Sequence, residues 1–300
     1  MKPIRIGLID FGYRSDTLNS LLKLDDVINY CIYGEEMGFD KFWIGEHHMP
    51  NRTLTWNNPT NLIPVLASQT QKINIGTAGT LMCLHNPYHV ASSFKFYNNI
   101  FQNRIELGFA NGMPYNGVSM QATGKPNELA VKEFETKVNY TISLLKNEDE
   151  HYRNEGIVLP PFKGNIPELW TLGSSESSIN RAIKLGTNLC VWTNHDFSAA
   201  DKERLDKFKE DFVQTHARLP KIRAVVVGVC HPSSKKAKEI TIQQNDEGKV
   251  PYGSVTKYYE FILKYQEFFK IDDFMFFNTI LDPKERLKGI EKLRGNLNLE

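Results

Sequence analysis

The sequence has few cysteines, and their placement excludes two kinds of site. The four cysteines (Cys31, Cys83, Cys190 and Cys230) are far apart, and no C-x-x-C pair occurs among the 300 residues. This spacing argues against a disulfide framework and against a cysteine-based metal site. Isolated thiols in apolar surroundings usually behave as small buried hydrophobic groups. The cysteine content therefore predicts a reducing, cytoplasmic setting.

Long apolar runs are also missing. No stretch approaches the ~20 consecutive apolar residues that a membrane-spanning helix requires. The segment MKPIRIGLID at the start contains only a short apolar run before Asp10. We therefore expect neither a secretory signal nor a membrane span.

Charge of one sign is not concentrated anywhere in the chain. The 36 Lys and Arg residues nearly balance the 35 Asp and Glu residues, which gives a net charge of +1. Binding to nucleic acid requires a concentrated basic surface that neutralises phosphates. Nucleic acid is therefore not an expected partner, whereas a hydrophobic content of 41% is ample for a folded core.

Short apolar runs alternate with longer helical stretches, which is the pattern of a (β/α)₈ TIM barrel. We predict an α/β fold of this type as a single domain over residues 1–300. The rival fold, a doubly wound sheet, usually has fewer strands, and no glycine-rich fingerprint follows the first strand, where the loop reads DFGYRSD. The predicted strands are 4–9, 41–45, 73–78, 104–109, 168–172, 188–192, 222–230 and 273–277.

The connection between the seventh and eighth predicted strands is longer than a minimal barrel needs. Residues 231–270 contain two predicted helices joined by the segment EGKVP. Extra chain at this position lies on or beside the catalytic rim of a barrel. The extended connection is therefore a candidate lid.

Ionisable residues follow the second predicted strand, in the segment FWIGEHHMP. Barrel active sites lie at the C-terminal ends of the strands, which places Glu46, His47 and His48 on the catalytic face. Because neighbouring side chains of a strand point to opposite faces, we expect one histidine to face the barrel mouth and the other a rim helix. Imidazole titrates near neutral pH and suits a proton donor or acceptor. A metal-dependent hydrolase is the weaker hypothesis, since adjacent histidines lack the H-x-H spacing of converging ligands.

Serines are concentrated after the fifth predicted strand, in GSSESSINRAIKLG. Gly173, Ser174, Ser175 and Ser178 stand where a helix begins, and the free backbone N–H groups there favour an anion. Serines at this position can act as helix caps alone, but four of them exceed what capping requires. The segment therefore predicts a phosphate-binding site.

Small residues end the third and fourth predicted strands, in INIGTAGT and ELGFANGMPYNG. Residues as small as Ala78 and Gly79 let a flat ligand approach the backbone, although ordinary tight turns have the same composition. Aromatic residues at or near strand ends are candidates for the wall of a substrate pocket and equally for the core: Phe11, Phe109, Tyr115 and Trp192.

The chain resembles the bacterial luciferase-like, flavin-dependent monooxygenases and oxidoreductases. The resemblance is densest in residues 38–117, in GFDKFWIGEHH, INIGTAG and HNPYHVASSFKFYNNIFQNRIELGFANG. It implies a barrel that holds FMN at its mouth, with His47 assisting the reaction of reduced flavin with oxygen and His48 close by. It also implies that the Ala78–Gly79 peptide packs against the flavin ring and that the serine segment binds the phosphate.

The chain departs from this family pattern at one position of the cofactor site. Where luciferases have a reactive cysteine followed by a phosphate-binding arginine, this chain has Ala110 and Asn111. The resemblance still places both residues beside the cofactor. Light emission is therefore not expected, and phosphate binding depends more on the serine segment.

Three functions are consistent with these features. The first is a monooxygenase that uses reduced FMN, supplied by a separate flavin reductase, and O₂ to oxidise a small organic substrate; the segment FANGM suggests natural-product biosynthesis. The second is an F420-dependent hydride-transfer enzyme on the same barrel. The third is a non-catalytic flavin-binding or partner subunit. The resemblance favours a homodimer in each case.

Overall fold

The structure, a computed structural model, describes residues 3–15, 19–48, 58–112, 127–193 and 197–297, without the side chains of 127–132. The candidate pocket residue Tyr115 lies outside these ranges. The described chain alternates between strands and helices almost throughout. Its strands are β1 (Arg5–Asp10), β2 (Lys41–Ile44), β3 (Asn74–Thr77), β4 (Thr80–Leu81), β5 (Ile105–Ala110), β6 (Glu168–Leu172), β7 (Asn188–Trp192), β8 (Ile222–His231), β9 (Tyr252–Ser254) and β10 (Asp273–Asn278).

The helices follow the strands and cover the outside of the sheet. A short 3₁₀ turn, Pro59–Asn61, precedes the second of them. The described helices are α1 (Ser20–Glu36), α2 (Ile63–Ser68), α3 (Pro87–Ile100), α4 (Asn127–Lys146), α5 (Glu148–Glu155), α6 (Glu176–Leu185), α7 (Ala199–His216), α8 (Ser234–Gln243), α9 (Val255–Phe269) and α10 (Pro283–Asn296).

The strands form a closed parallel barrel. Pairing runs in the order β1-β2-β3-β5-β6-β7-β8, and β10 closes the ring by pairing in parallel with both β8 and β1. These are the eight predicted strands, while β4 and β9 are short additions that pair with β5 and β8. The predicted (β/α)₈ fold is therefore confirmed. No described helix is long and apolar enough to cross a membrane.

Local sequence signals explain where several helices begin and end. The side chain of Asn86 caps α3 by accepting hydrogen bonds from the backbone N–H groups of Tyr88 (2.9 Å) and His89 (3.2 Å). Gly186 ends α6 with a left-handed φ of 62°. Asn58 is followed by Pro59, as Asn86 is followed by Pro87, but the signal is misleading there. Asn58 makes no capping hydrogen bond, and the chain forms the 3₁₀ turn before α2.

A polar cluster fills the barrel near the N-terminal ends of its strands. The Arg223 guanidinium lies 3.9 Å from the ring centroid of Trp170 and donates to Glu106 (Nη1–Oε2, 2.6 Å) and Asp273 (Nε–Oδ1, 3.0 Å). Lys41 forms an ion pair with Asp273 at 3.1 Å. We call Arg223, Glu106, Asp273 and Lys41 the lower cluster. It closes the bottom of the barrel with paired charges.

The extended connection between β8 and β10 is confirmed, and it is built from regular secondary structure. It contains α8, β9 and α9, and β9 pairs with the last residues of β8. This pairing extends the sheet beyond the barrel rim on the β8 side. The connection therefore adds a wall to the C-terminal face of the barrel.

Candidate active site

A cavity of about 600 Å³ opens at the C-terminal ends of the barrel strands. We call it the active-site cavity. Its wall combines loops after β2, β3, β5 and β6 with the end of β7, so residues distant in sequence face one space. Twelve of the predicted site residues line it: Phe11, Glu46, His47, His48, Ala78, Gly79, Ala110, Asn111, Gly173, Ser175, Ser178 and Trp192.

Two predicted site residues lie elsewhere. Phe109 is fully buried in the main core and does not line the cavity, so its placement in the substrate pocket is wrong. Its strand alternates, and this side chain points to the helix layer. Ser174 faces a small adjacent space of about 30 Å³, and its hydroxyl accepts a hydrogen bond from the Trp192 N–H at 2.9 Å. Ser174 therefore joins two loops and does not face the active-site cavity.

Glu46 is a buried carboxylate that holds two histidines. Its Oε1 accepts hydrogen bonds from Nε2 of His48 (2.5 Å) and Nε2 of His85 (2.7 Å), and its Oε2 accepts from the Leu81 N–H (2.9 Å). Burial alone would raise the pKa of Glu46, but these hydrogen bonds more than compensate and lower it. An ionised Glu46 requires a proton on Nε2 of both histidines, which fixes their orientation.

The expectation that one histidine faces the mouth and the other a rim helix is wrong. Strand β2 ends at Ile44, so Glu46 and both histidines belong to a loop where side chains no longer alternate. His47 and His48 both line the active-site cavity. They differ in their partners, because His48 is bound to Glu46 and His47 is not.

His47 is the histidine with uncommitted polar atoms. Its ring packs against Phe11 (centroids 5.2 Å apart) and Tyr13 (6.0 Å). Its Nδ1 is buried and has no hydrogen-bond partner in the described part of the chain. Burial lowers the pKa of His47, and the nearby Glu46 carboxylate offsets only part of this shift. The imidazole is therefore neutral at neutral pH and able to accept a proton.

Two glycines in unusual conformations shape the cavity wall. Gly79 has a φ of +101°, and a Cβ atom there would lie 2.3 Å from Cβ of Ala110. Gly173 has a φ of +142°, and a Cβ atom there would lie 2.3 Å from Oγ of Ser178. Any side chain at these positions would be strained and would collide with the wall. Both positions of the cavity wall, beside β3 and β6, therefore require glycine.

The N-terminus of α6 presents hydroxyl groups to the cavity. Ser175 is the N-cap, and its Oγ accepts from the Ser178 N–H at 3.2 Å. The same oxygen lies 3.0 Å from the hydroxyls of both Ser177 and Ser178. Ser175 thus serves as a cap, as the simpler interpretation holds, and the group also faces a cavity large enough for a ligand.

Arg181 and His85 are site residues that the sequence interpretation missed. Arg181 also lines the cavity, and its side chain is 9% exposed. Its Cζ lies 5.0 Å from the Phe134 ring centroid, and its Nε donates a hydrogen bond to Glu135 at 3.4 Å. A signal for it existed, since Arg181 stands three residues after Ser178 on the same face of α6. His85 had no such local signal, because its partner Glu46 is 39 residues away.

No group of three described His, Cys, Asp or Glu side chains is arranged to hold a metal ion.

The chain has relatives among known proteins. Residues 5–258 match the family model of the luciferase-like monooxygenases. The structure resembles apo-MsnO8, with a TM-score of 0.83, 19% identity and 99% of both chains covered.

Two further solved structures show the range of cofactors on this fold. The oxygenating constituent of 3,6-diketocamphane monooxygenase from Pseudomonas putida, in complex with FMN, has a TM-score of 0.77 and 16% identity, with 99% of this chain and 98% of that chain covered. An F420-dependent secondary alcohol dehydrogenase has a TM-score of 0.72 and 15% identity, with 97% of this chain and 98% of that chain covered. The family match over most of the sequence, together with the shared barrel, leads to one conclusion: the chain belongs to the luciferase-like monooxygenase family.

Proposed function

We propose that the protein is a monooxygenase that uses reduced FMN and O₂ to oxidise a small organic substrate. The observation that carries this proposal is one cavity in which a neutral His47 and the hydroxyl-rich start of α6 face the same space. Strands β2 and β6, which deliver these groups, are separated by β3 and β5 in the barrel order. A ligand with a phosphate at one end and a reactive ring at the other can therefore span the cavity.

The residues present fit FMN. Gly79 and Gly173 line the cavity and have no side chain, so a ring can lie against the backbone there. The start of α6 offers free N–H groups and serine hydroxyls to a phosphate, and Arg181 brings a positive charge to the same side. Arg181 supports the proposal in particular, because it supplies a charge that the chain lacks at Asn111.

Bound reduced FMN would supply the two electrons with which one atom of O₂ enters the substrate and the other leaves as water. The protein would transfer protons and would restrict water in the cavity. His47 would take a proton at its uncommitted nitrogen, Nδ1, and return it. Glu46 would hold His48 in place beside it. Phe11 and Trp192, whose rings stack 6.1 Å apart, would restrict water at the cavity wall.

Titration of the purified chain with FMN and with reduced FMN, followed by absorbance and fluorescence, tests the proposal. We expect saturable binding, then oxygen-dependent turnover when reduced FMN is supplied chemically or by an added flavin reductase. Absence of binding to either form of FMN would contradict the proposal.

An F420-dependent hydride transfer is the second candidate, supported by the likeness to the F420-dependent alcohol dehydrogenase. Parallel titration with F420 separates the two, since an F420 enzyme would bind that cofactor more tightly and turn over without oxygen. A non-catalytic flavin-binding subunit is the third. It would be favoured if the flavin complex consumed no oxygen and His47→Ala changed no rate.

We also propose that the chain forms a homodimer. Phe96 and Ile100 are four residues apart on one face of α3, and they are 47% and 53% exposed. Light scattering should give twice the mass of the chain, and Ile100→Lys should shift the equilibrium toward the monomer. A monomer at all concentrations would contradict this assembly.

A further inference from the structure

A second cavity of about 420 Å³ lies beside the active-site cavity. Its wall is formed by the ends of β1 and β10, by Arg286 of α10, and by residues 244–250 of the extended connection. Phe11 borders both cavities, and its ring contacts Phe277 of the second cavity (4.8 Å) and His47 (5.2 Å). The two cavities therefore meet at Phe11, next to His47.

Two polar atoms at this second cavity are buried without partners. They are Nε of Arg286 and Oγ1 of Thr279, and neither has a hydrogen-bond partner in the part of the chain that the structure describes. A buried polar group without a partner is costly, and a ligand that supplies the missing partner removes that cost. The guanidinium Nε–H is only a donor, and the hydroxyl is also able to donate. Both atoms therefore suit an oxygen acceptor on a ligand.

The other nitrogens of Arg286 are held firmly. Nη2 donates to Asp26 at 2.7 Å, and Nη1 contacts Asp10 at 3.3 Å. Lys23 donates to both of these carboxylates, at 2.8 and 2.9 Å. Two positive and two negative charges therefore balance within this buried group. The group fixes the guanidinium, which is 4% exposed, and leaves only Nε uncommitted.

The remaining wall of the second cavity has an apolar side and a polar side. The apolar side is formed by Phe11, Phe277, Ile280 and Leu281 from the barrel and by Val250 from the extended connection, and the polar side includes Asp10, Asp246 and Lys249. A volume of about 420 Å³ lies in the range of small-molecule sites, which are mostly apolar with a few placed polar groups. The wall therefore suits a ligand with an apolar body and one polar end.

We propose that the second cavity binds the organic substrate, a small molecule whose apolar body ends in a carboxylate that accepts hydrogen bonds from Arg286 Nε and Thr279 Oγ1. The identification of this ligand as the substrate rests on the proposed function, whereas the binding site itself does not depend on it. In this arrangement the apolar end lies near Phe11 and so beside His47, while the extended connection forms the outer wall. The carboxylate and arginine form a charge-assisted pair.

Calorimetric titration of the full chain with straight-chain carboxylates from butanoate to decanoate tests this site. We expect binding that tightens with chain length until the cavity is full. Hexanamide should bind about tenfold more weakly than hexanoate, because it lacks the charge, and hexylamine should not bind. Failure of every carboxylate to bind, or equal binding of hexylamine, would overturn the proposal.

Variants locate the site. Thr279→Val should weaken hexanoate binding about three- to tenfold, and Arg286→Lys, which keeps the charge but removes Nε–H, about tenfold or more. Val250→Trp should fill the cavity and abolish binding without touching the buried charges. Thr141→Val is the matched control, since the hydroxyl of this residue on α4 bonds the Lys137 carbonyl away from both cavities. Unchanged affinity in Thr279→Val and Val250→Trp would overturn the assignment even if Arg286→Lys failed to fold.

FMN titration of the same proteins separates the two proposals. Wild type and Thr279→Val should bind FMN equally. If hexanoate binds and FMN does not, the proposed function fails and the second cavity stands. If FMN binds and no carboxylate does, the second cavity fails and the proposed function stands.

Discussion

The two ends of the barrel differ in what their buried polar groups face. In the lower cluster, every charge faces an opposite charge, and Arg223 alone donates to two carboxylates. At the mouth, His47, Thr279 and Arg286 each keep one buried polar atom without a partner in the described chain. Paired charges hold the lower end of the barrel closed, whereas the unpartnered polar atoms at the mouth belong to residues that border cavities able to hold ligands.

The pKa values follow the same division. Burial would raise the pKa of Asp273 in the lower cluster, but Arg223 and Lys41 outweigh it and lower the value to about 2. At the mouth, burial dominates and lowers the pKa of His47. Charge is therefore retained where it is paired and suppressed where a neutral base is useful.

Arg223→Met should cause the largest loss of stability. It leaves Glu106 and Asp273 buried without their common partner, which typically costs about 3–5 kcal/mol. Chemical denaturation of the purified chain measures this loss. The control is Arg204→Met, which removes a partly exposed pair with Asp201 and should cost less than about 1 kcal/mol. Similar losses in both variants would contradict the role assigned to the lower cluster.

His47→Ala should lower activity much more than stability, in contrast to Arg223→Met. On the proposed function, loss of the proton acceptor should lower turnover about 10²- to 10⁴-fold. The free energy of unfolding should fall less than in Arg223→Met, because the variant loses ring contacts with Phe11 and Tyr13 but leaves no buried charge without its partner. Steady-state rates and denaturation on the same sample show both effects. His89→Ala, an exposed position on α3, is the control. A stability loss in His47→Ala as large as that in Arg223→Met would contradict the different roles assigned to the two ends of the barrel.

Arg181→Gln should weaken FMN binding about tenfold, since hydrogen bonds to charged groups contribute more than neutral ones. Asn111→Arg, which returns an arginine to the position where luciferases have one, should compensate in the double variant. Fluorescence titration gives the dissociation constants. Arg153→Gln, on α5 and away from the cavity, is the control. Unchanged affinity in Arg181→Gln would remove this residue from the phosphate site.

The smallest effect concerns pH. The unfolded chain protonates His47 near its ordinary pKa of 6.5, whereas the folded chain resists protonation until lower pH. Stability should therefore fall as pH drops below 6.5, and His47→Gln should flatten this slope. The slope is a fraction of the about 1.4 kcal/mol per pH unit that one full proton gives, since solvent at the cavity screens the charge. Denaturation between pH 7 and 5 measures it, and an unchanged slope in His47→Gln would contradict the burial effect.

The strands that carry the active site, and the position of several site residues at their ends, could be predicted from the sequence. Strands β6 and β7 have the predicted bounds, and the rule that barrel sites lie at strand ends correctly placed Glu46, His47 and His48 at the mouth. The prediction for Phe109 was wrong, because a residue at the end of an apolar strand can point to either layer. The expected division between the two histidines was also wrong, since β2 ends before them.

The sequence by itself determined the barrel and the positions of its polar strand ends, because periodicity, caps and glycines act over a few residues. Only the tertiary structure decided which side chains meet. Glu46 reaches His85 across 39 positions, and Arg286 reaches Asp10 across 276. Closure of the ring by β10 against β1 brings Arg286 to Asp10. Contacts of this kind depend on the whole fold, and no local pattern encodes them.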